Sequence, residues 1–160
     1  MFKNFNKIGK IVINAGIGRL SQQPNFEEKI LPELIRDISL ITGQKPMICK
    51  AKKSIAGFKM RAGQVVGLKT TLRRKKMADF LTKLINITLP RIRDFQGISL
   101  KNIDSNGNLS IGFKEQTVFP EINPEVVKFD FGLEISIVSK AKNKEEAIEI
   151  YRQMGIPLKH

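Results

Sequence analysis

The sequence has too few cysteine and histidine side chains for several common kinds of site. Its 160 residues include one cysteine, Cys49, and one histidine, the terminal His160. A single cysteine excludes an intramolecular disulfide, and these two side chains alone cannot build a zinc site of the usual kind. We interpret Cys49 as a small core residue, because no histidine is available to activate its thiol. Neither a metal site nor a catalytic nucleophile is predicted.

Long uncharged runs are also missing. The longest segment without Asp, Glu, Lys or Arg has nine residues, from Ser105 to Phe113, whereas a membrane-spanning helix needs about 20 apolar residues. The N-terminal segment lacks the apolar stretch of a secretory signal. We therefore expect no membrane association, and the single cysteine suits a reducing compartment.

Acidic side chains are scarce in the first half of the chain. The sequence has 28 Lys and Arg against 15 Asp and Glu, a formal charge of +13. Residues 1–80 hold 17 bases and 5 acids, a net of +12, while residues 81–160 hold 11 and 10, a net of +1. Between Asp37 and Asp79, 41 residues contain eleven bases and no acid. Because soluble surfaces normally mix both signs, this segment predicts a polyanion-binding surface, with nucleic acid favoured over an acidic membrane.

Hydrophobic periodicity predicts an α+β fold. Hydrophobic residues make up 41% of the chain, so a single domain over residues 1–160 can bury one core. Alternating segments predict strands at 10–15, 47–52, 64–72, 109–113 and 133–138. Three- and four-residue spacing predicts helices at 25–42, 77–88 and 144–154, the last beginning at Lys144 and the second ended by Pro90. Pro32 leaves open whether the first helix is continuous or consists of two pieces. This arrangement predicts a mainly antiparallel sheet with helices packed on one face.

The predicted strand 64–72 alternates between two kinds of side chain. One face receives Val66, Leu68, Thr70 and Leu72, and the other receives Gly67, Lys69, Thr71 and Arg73. Since successive strand residues point to opposite faces, the strand has a core side and a cationic side.

A long connection joins the second and third predicted strands. Residues 52–63, termed the basic loop, carry Lys52, Lys53, Lys59 and Arg61 around one aromatic residue, Phe58. Lys and Arg neutralise phosphates, and an exposed Phe stacks on a base. A lone Phe in a loop folds back onto the core about as often, so both interpretations of Phe58 stay open. The basic loop is predicted to be an RNA-contacting extension of the domain.

A glycine pair raises an alternative function. Gly16 and Gly18 follow a strand and precede a helix, which is the setting of a dinucleotide-binding motif. Ser21 stands in place of the third glycine, and no acidic residue follows on the next strand. No cofactor is therefore predicted, and the glycines favour a tight turn or close approach by a phosphate backbone. An enzyme acting on a phosphorylated metabolite, although it lacks a general base, and a non-specific nucleic-acid chaperone remain the alternatives.

Several short stretches, in order over nearly the whole chain, carry a family resemblance. They are residues 10–18, 41–46, 51–61, 71–73, 89–95, 114–116 and 119–122. Together they resemble the bacterial-type fifth protein of the large ribosomal subunit. The resemblance implies a protein of the central protuberance that binds 5S rRNA, contacts P-site tRNA, lies beside large-subunit protein eighteen and bridges to small-subunit protein thirteen. It also implies location in a ribosome, in the bacterial cytoplasm or in an organelle.

The resemblance also implies which residues make these contacts. The 5S rRNA contacts map onto Asn14, Gln44, Thr71 and Arg73, and Lys69 joins them from the cationic side of its strand. The tRNA contacts map onto the basic loop, at Lys52, Lys53, Ser54, Gly57, Phe58, Lys59 and Arg61.

Three features depart from the family pattern. Ala15 stands where methionine is usual, and Arg74 stands where glycine is common. We expect weaker packing at the first position and added charge at the second. Relatives commonly begin with a further basic helical segment, whereas nine residues precede Lys10 here, so we expect the contacts of that segment to be absent.

Overall fold

A computed structural model describes residues 4–160, except for the side chain of Phe58. Five strands form one sheet in the order β2-β3-β1-β5-β4, and every neighbouring pair is antiparallel. The strands are β1 (Ile8–Gly16), β2 (Met47–Lys50), β3 (Val65–Leu72), β4 (Leu109–Phe113) and β5 (Leu133–Ser139). The α-helices are α1 (Leu31–Thr42), α2 (Arg74–Lys83), α3 (Leu89–Arg91) and α4 (Lys144–Gln153). The predicted α+β class is confirmed.

One face of the sheet is covered by the helices and forms the core. Ile11, Ile13, Leu68 and Leu72 lie on this covered face and are at most 1% exposed. The helices contribute Leu34, Leu81 and Tyr151, each with no exposed surface. Burying aliphatic and aromatic side chains at about 1.5–3 kcal/mol each provides the main driving force for this arrangement.

The two helical prolines each follow a wider, π-type turn. The turn Phe26–Ile30 leads into α1, which has Pro32 in its first turn. The turn Leu84–Thr88 joins α2 to α3, which contains Pro90. Proline clashes with the carbonyl four residues earlier, and the five-residue spacing of a π-type turn makes room for the ring. The prediction that Pro90 ends the helix is therefore wrong, since helical structure continues to Arg91.

Strand β3 departs from strict alternation where it begins. Cys49 pairs with Gly67, but the next pair joins Lys50 to Val65, so Val66 forms a bulge. Val65 is 5% exposed and Val66 is only half-buried. The prediction that Val66 belongs to the core side is therefore wrong, whereas Leu68, Thr70 and Leu72 are buried as predicted.

A buried tyrosine anchors α4 to the sheet. The Tyr151 hydroxyl donates to the carbonyl oxygen of Gly107 at 2.5 Å, and the carbonyl oxygen of Ile137 lies 3.2 Å away. Burial raises the pKa of Tyr151 to about 12, so the hydroxyl keeps its proton at neutral pH. Gly107 adopts φ +84 in the turn before β4. This contact fixes the β4 edge of the sheet against α4.

Candidate nucleic-acid interface

The second face of the sheet carries mainly small and polar side chains, with Val12, Met47 and Val138 among them, and no helix within residues 4–160 packs over it. We term it the open face. It takes alternate positions from all five strands: Lys10, Val12, Asn14 and Gly16; Met47 and Cys49; Gly67, Lys69 and Thr71; Ser110 and Gly112; Glu134, Ser136 and Val138. The glycine and serine residues have side chains that project little from the sheet, so a large partner can approach the backbone closely.

The registers of β1 and β3 bring the predicted 5S rRNA residues together. Asn14 pairs directly with Lys69, and Val12 pairs with Thr71. Directly opposite residues on one face have Cβ atoms about 5 Å apart, so these side chains form one cluster. Lys69 and Thr71 are half-buried and Asn14 is exposed, which leaves their polar ends accessible.

The turn after α1 adds Gln44 to the cluster. Gly43 ends α1 with φ +72, and its N–H donates to the Ser39 carbonyl oxygen at 2.8 Å. The N–H of Gln44 donates to the Thr42 hydroxyl at 3.2 Å, and its side-chain Nε2 donates to the Thr71 carbonyl oxygen at 3.1 Å. The side-chain oxygen of Gln44 accepts no hydrogen bond from the residues that the structure describes, so it remains available to a ligand.

Arg73 lies where the chain leaves β3 and enters α2. Its backbone is extended, at φ −137 and ψ 159, and its side chain is exposed at the end of the open face. The first turn of α2 contains no acid, and Arg74, Lys75 and Lys76 are all exposed. Four of the eleven bases of the acid-free segment therefore lie at this end of the open face.

Replacing Arg74 by glycine is expected to stabilise the fold by about 0.5–1 kcal/mol. Arg74 has φ +55, in the left-handed region that costs a side-chain-bearing residue about 1–2 kcal/mol. Glycine removes that strain. Its greater conformational freedom in the unfolded chain lowers the stability by roughly 0.5–1 kcal/mol, so part of the gain is lost. Urea unfolding measures the change, and a loss of stability in Arg74→Gly would contradict this explanation.

The basic loop is an ordered extension of β2 and β3. Ala51 donates its N–H to the Gln64 carbonyl oxygen at 2.8 Å, and Ile55 and Met60 exchange backbone hydrogen bonds of 2.9 and 3.1 Å. The Ser54 hydroxyl accepts from the Ala62 N–H at 3.0 Å. The predicted tRNA contacts Lys52, Lys53, Ser54, Gly57, Lys59 and Arg61 are all exposed. The side chain of Phe58 lies outside the described part of the chain.

Gln64 connects the basic loop to the segment that follows β1. Its side-chain Nε2 donates to the Ser21 hydroxyl at 2.7 Å, and that hydroxyl donates to the Gly18 carbonyl oxygen at 2.6 Å. Its side-chain oxygen accepts from the Arg61 N–H at 3.1 Å. This link was not predicted from the sequence. The only sequence feature that points to it is Ser21, which stands in place of the third glycine of the motif.

The structure also places Cys49 and the glycine pair, and it corrects the interpretation of Cys49. Cys49 is half-buried on the open face opposite Gly67, on an edge strand, so its assignment to the core is wrong. Gly16 and Gly18 do not have positive φ values, so neither requires glycine for its conformation. A Cβ added at either glycine would meet no atom within 4 Å, so both leave open space at the surface.

Two negative findings apply to residues 4–160. No helix there is long and apolar enough to cross a membrane. No group of three or more His, Cys, Asp or Glu side chains there could hold a metal ion.

Comparison with known proteins identifies the family. The family models for ribosomal protein L5 and for the C-terminus of the same ribosomal protein family match residues 6–61 and 65–158. The large ribosomal subunit protein uL5 of Syntrophomonas wolfei is 48% identical over 153 residues, covering 96% of this chain and 84% of the relative. The proteins of that name from Halothermothrix orenii and Lacticaseibacillus casei are 49% and 50% identical, each covering 94% of this chain and 82% of the relative.

The sheet unites the two matched segments. The first supplies β1 and β2 and the second supplies β3, β4 and β5, yet β1 lies between β3 and β5. These relatives come from bacteria, and all three are ribosomal proteins by name. The comparison therefore favours a ribosomal protein over the metabolite enzyme that the glycine pair had raised as an alternative. The chain belongs to the L5 (uL5) family of ribosomal proteins, which are structural, non-catalytic components of the large subunit.

Proposed function

We propose that the protein binds 5S rRNA through the open face and P-site tRNA through the basic loop. The supporting observation is the cluster of Asn14, Lys69, Thr71 and Gln44, with Arg73 at its end, on a face that carries no helix among the described residues. Amide, hydroxyl and charged groups held on neighbouring strands can contact phosphates, 2′-hydroxyls and base edges of one structured RNA together. A rigid sheet positions these groups before the RNA arrives, which lowers the entropic cost of binding.

The basic loop gives the same domain a second RNA contact. Its exposed cations extend beyond β2 and β3, and its backbone hydrogen bonds hold it in an extended hairpin. In this proposal the whole chain acts as one RNA-binding domain in the central protuberance, beside large-subunit protein eighteen. The less basic half of the chain, including the exposed residues Glu125 and Val126, faces protein neighbours. The protein as a whole bridges to small-subunit protein thirteen.

Removing the Arg73 side chain tests the 5S rRNA assignment. Arg73→Ala is expected to lose about 1.5–3 kcal/mol of binding free energy, because the guanidinium makes charged hydrogen bonds to RNA. Affinity is measured against salt for 5S rRNA and for a size-matched unrelated structured RNA. The wild type should prefer 5S rRNA by at least about 1000-fold at physiological salt. Equal affinities with parallel salt slopes would leave only a non-specific RNA-binding protein and would contradict the assignment.

Replacing Lys52 and Lys53 together by alanine tests the division of labour. The double variant should bind isolated 5S rRNA within about twofold of wild type, because both residues lie in the basic loop and outside the open-face cluster. It should weaken tRNA retention in the P site of reconstituted ribosomes. Filter binding reports the first quantity and tRNA dissociation reports the second. Loss of 5S affinity equal to that of Arg73→Ala would show that the two surfaces do not act separately.

A further inference from the structure

A groove of about 1020 Å³ separates the basic loop from the end of the sheet. The sheet side contributes Gly16 and Gly18, where an added Cβ would meet no atom within 4 Å. The loop side contributes Ile55 and Met60, whose paired backbones fix their positions. Ligand pockets in proteins commonly have volumes of about 300–1000 Å³, so the groove can hold one or two nucleotides.

Hydrogen bonds within the chain hold both walls of the groove. On the loop side, Gln64 joins Arg61 to Ser21, which in turn bonds to Gly18. On the opposite side, the buried side chain of Gln116 bonds to the backbones of Phe129 and Phe131, at 2.7 and 3.2 Å. Phe131 itself lines the groove. Both walls are thus held by side-chain hydrogen bonds to backbone or to other side chains.

The groove combines apolar and charged groups in a way that suits a nucleotide. Ile55 is 42% exposed, and Leu20 and Met60 are half-buried, so apolar surface faces the groove from both sides. Such surface covers the face of a base. Glu115 and Asp130 also line the groove and can accept hydrogen bonds from base amino groups, as carboxylates do from cytosine.

Three cations of the groove are free to meet a phosphate. Arg19, Lys59 and Lys114 line the groove, and none has a carboxylate oxygen within 4.0 Å among the residues that the structure describes. A continuous phosphate backbone would also meet the carboxylates of the groove and be repelled by them. A single nucleotide can place its phosphate on the cations and its neutral base on the apolar and carboxylate side.

We propose that this groove binds an unpaired nucleotide of the 5S rRNA that lies on the open face. Gly16 belongs both to the open face and to the groove, so the two surfaces are continuous. The nucleotide leaves its stack and places its base against Leu20, Ile55 and Met60. This inference rests on the proposed 5S rRNA function and adds a nucleotide-binding site to it.

Filling the groove tests the proposal. In Gly18→Phe the new ring has open space to enter, and the backbone φ at Gly18 is one that any residue adopts. We expect about a tenfold loss of 5S rRNA affinity, as for the loss of one stacked base. Chemical probing of the 2′-hydroxyls at nucleotide resolution should show one or two unpaired nucleotides protected by wild type and exposed in the variant. The rest of the footprint should be unchanged.

Two further variants make the result decisive. Asn86→Phe places the same ring at an exposed position away from the open face and should bind like wild type. Ile55→Ser removes apolar surface at a solvent-exposed position and should release the same nucleotides even if Gly18→Phe folds poorly. Specific binding by wild type with an unchanged footprint in Gly18→Phe and Ile55→Ser overturns the groove assignment alone. Absence of 5S preference in wild type overturns the proposed function, and the groove assignment with it.

Discussion

Replacing Lys69 and Arg73 together by glutamate is expected to lower the affinity for 5S rRNA by at least about 1000-fold at physiological salt. Each substitution removes a charged hydrogen-bond donor, at about 1.5–3 kcal/mol, and adds repulsion against phosphate. Lys69 lies beside Asn14, which is flanked on its other side by Glu134. The double variant therefore surrounds Asn14 with carboxylates and reverses the charge at the centre and the end of the open face.

A matched variant separates this effect from the change in net charge. Lys29→Glu with Arg152→Glu lowers the net charge by the same amount, at exposed positions before α1 and within α4. The affinity of this control variant for 5S rRNA should fall by no more than about tenfold, because the two substitutions change only the long-range electrostatic field of the protein. Equal losses in the two double variants, measured by fluorescence titration, would show that 5S rRNA responds to overall charge and not to the open face.

The substitution Gly107→Ala is expected to lower the free energy of unfolding by about 2–5 kcal/mol. Gly107 has φ +84, and an added Cβ would lie 2.6 Å from the Ala147 Cβ and 3.0 Å from the Ser139 hydroxyl oxygen. Left-handed strain costs about 1–2 kcal/mol and overpacking about 1–3 kcal/mol. Any shift that relieves the clash also disturbs the hydrogen bond from Tyr151 to the Gly107 carbonyl.

Urea unfolding with a second glycine variant checks this expectation. Gly112 lies in β4 without a positive φ, and a Cβ there would meet no atom within 4 Å. Gly112→Ala should raise the free energy of unfolding by about 0.5–1 kcal/mol, because alanine loses less conformational entropy on folding than glycine. If Gly107→Ala raised stability as Gly112→Ala does, or changed it by less than about 0.5 kcal/mol, the packing described between α4 and the turn before β4 would be wrong.

The sequence predicts this fold well where alternation or helical spacing is sustained. β4 matches its predicted bounds, and α4 begins at the predicted Lys144. The errors have local physical causes. The bulge at Val66 shifts the side-chain alternation by one position, and the π-type turn before α3 accommodates Pro90. Cys49 lies on an edge strand, where strand periodicity does not say which face the helices cover.

The residues of the candidate site were likewise predictable only where strand alternation is sustained. Alternation along β1 and β3 suffices to place Asn14, Lys69 and Thr71 on one face. The contact of Gln44 with Thr71 spans 27 positions, and that of Gln64 with Ser21 spans 43. Such long-range contacts depend on how the turns bring distant segments together, and no local periodicity encodes them. The sequence therefore predicts the cationic side of the sheet but not the side-chain bonds that hold the loop and the groove.

The single cysteine offers the most direct test that the open face binds 5S rRNA. Cys49 is half-buried on that face, so its rate of reaction with a maleimide reports whether RNA covers the sheet. A control chain, Cys49→Ser with Asn86→Cys, carries its thiol at an exposed position of the helical layer.

Rates are compared for the free protein, the saturated 5S rRNA complex and the same concentration of an unrelated structured RNA. We predict that 5S rRNA slows the reaction of Cys49 by at least about tenfold, because thiol reactivity follows exposure. The unrelated RNA should leave the rate near that of the free protein, and the Asn86→Cys thiol should react equally in all three samples. An unchanged rate at Cys49 in the saturated 5S rRNA complex would contradict the assignment of the open face.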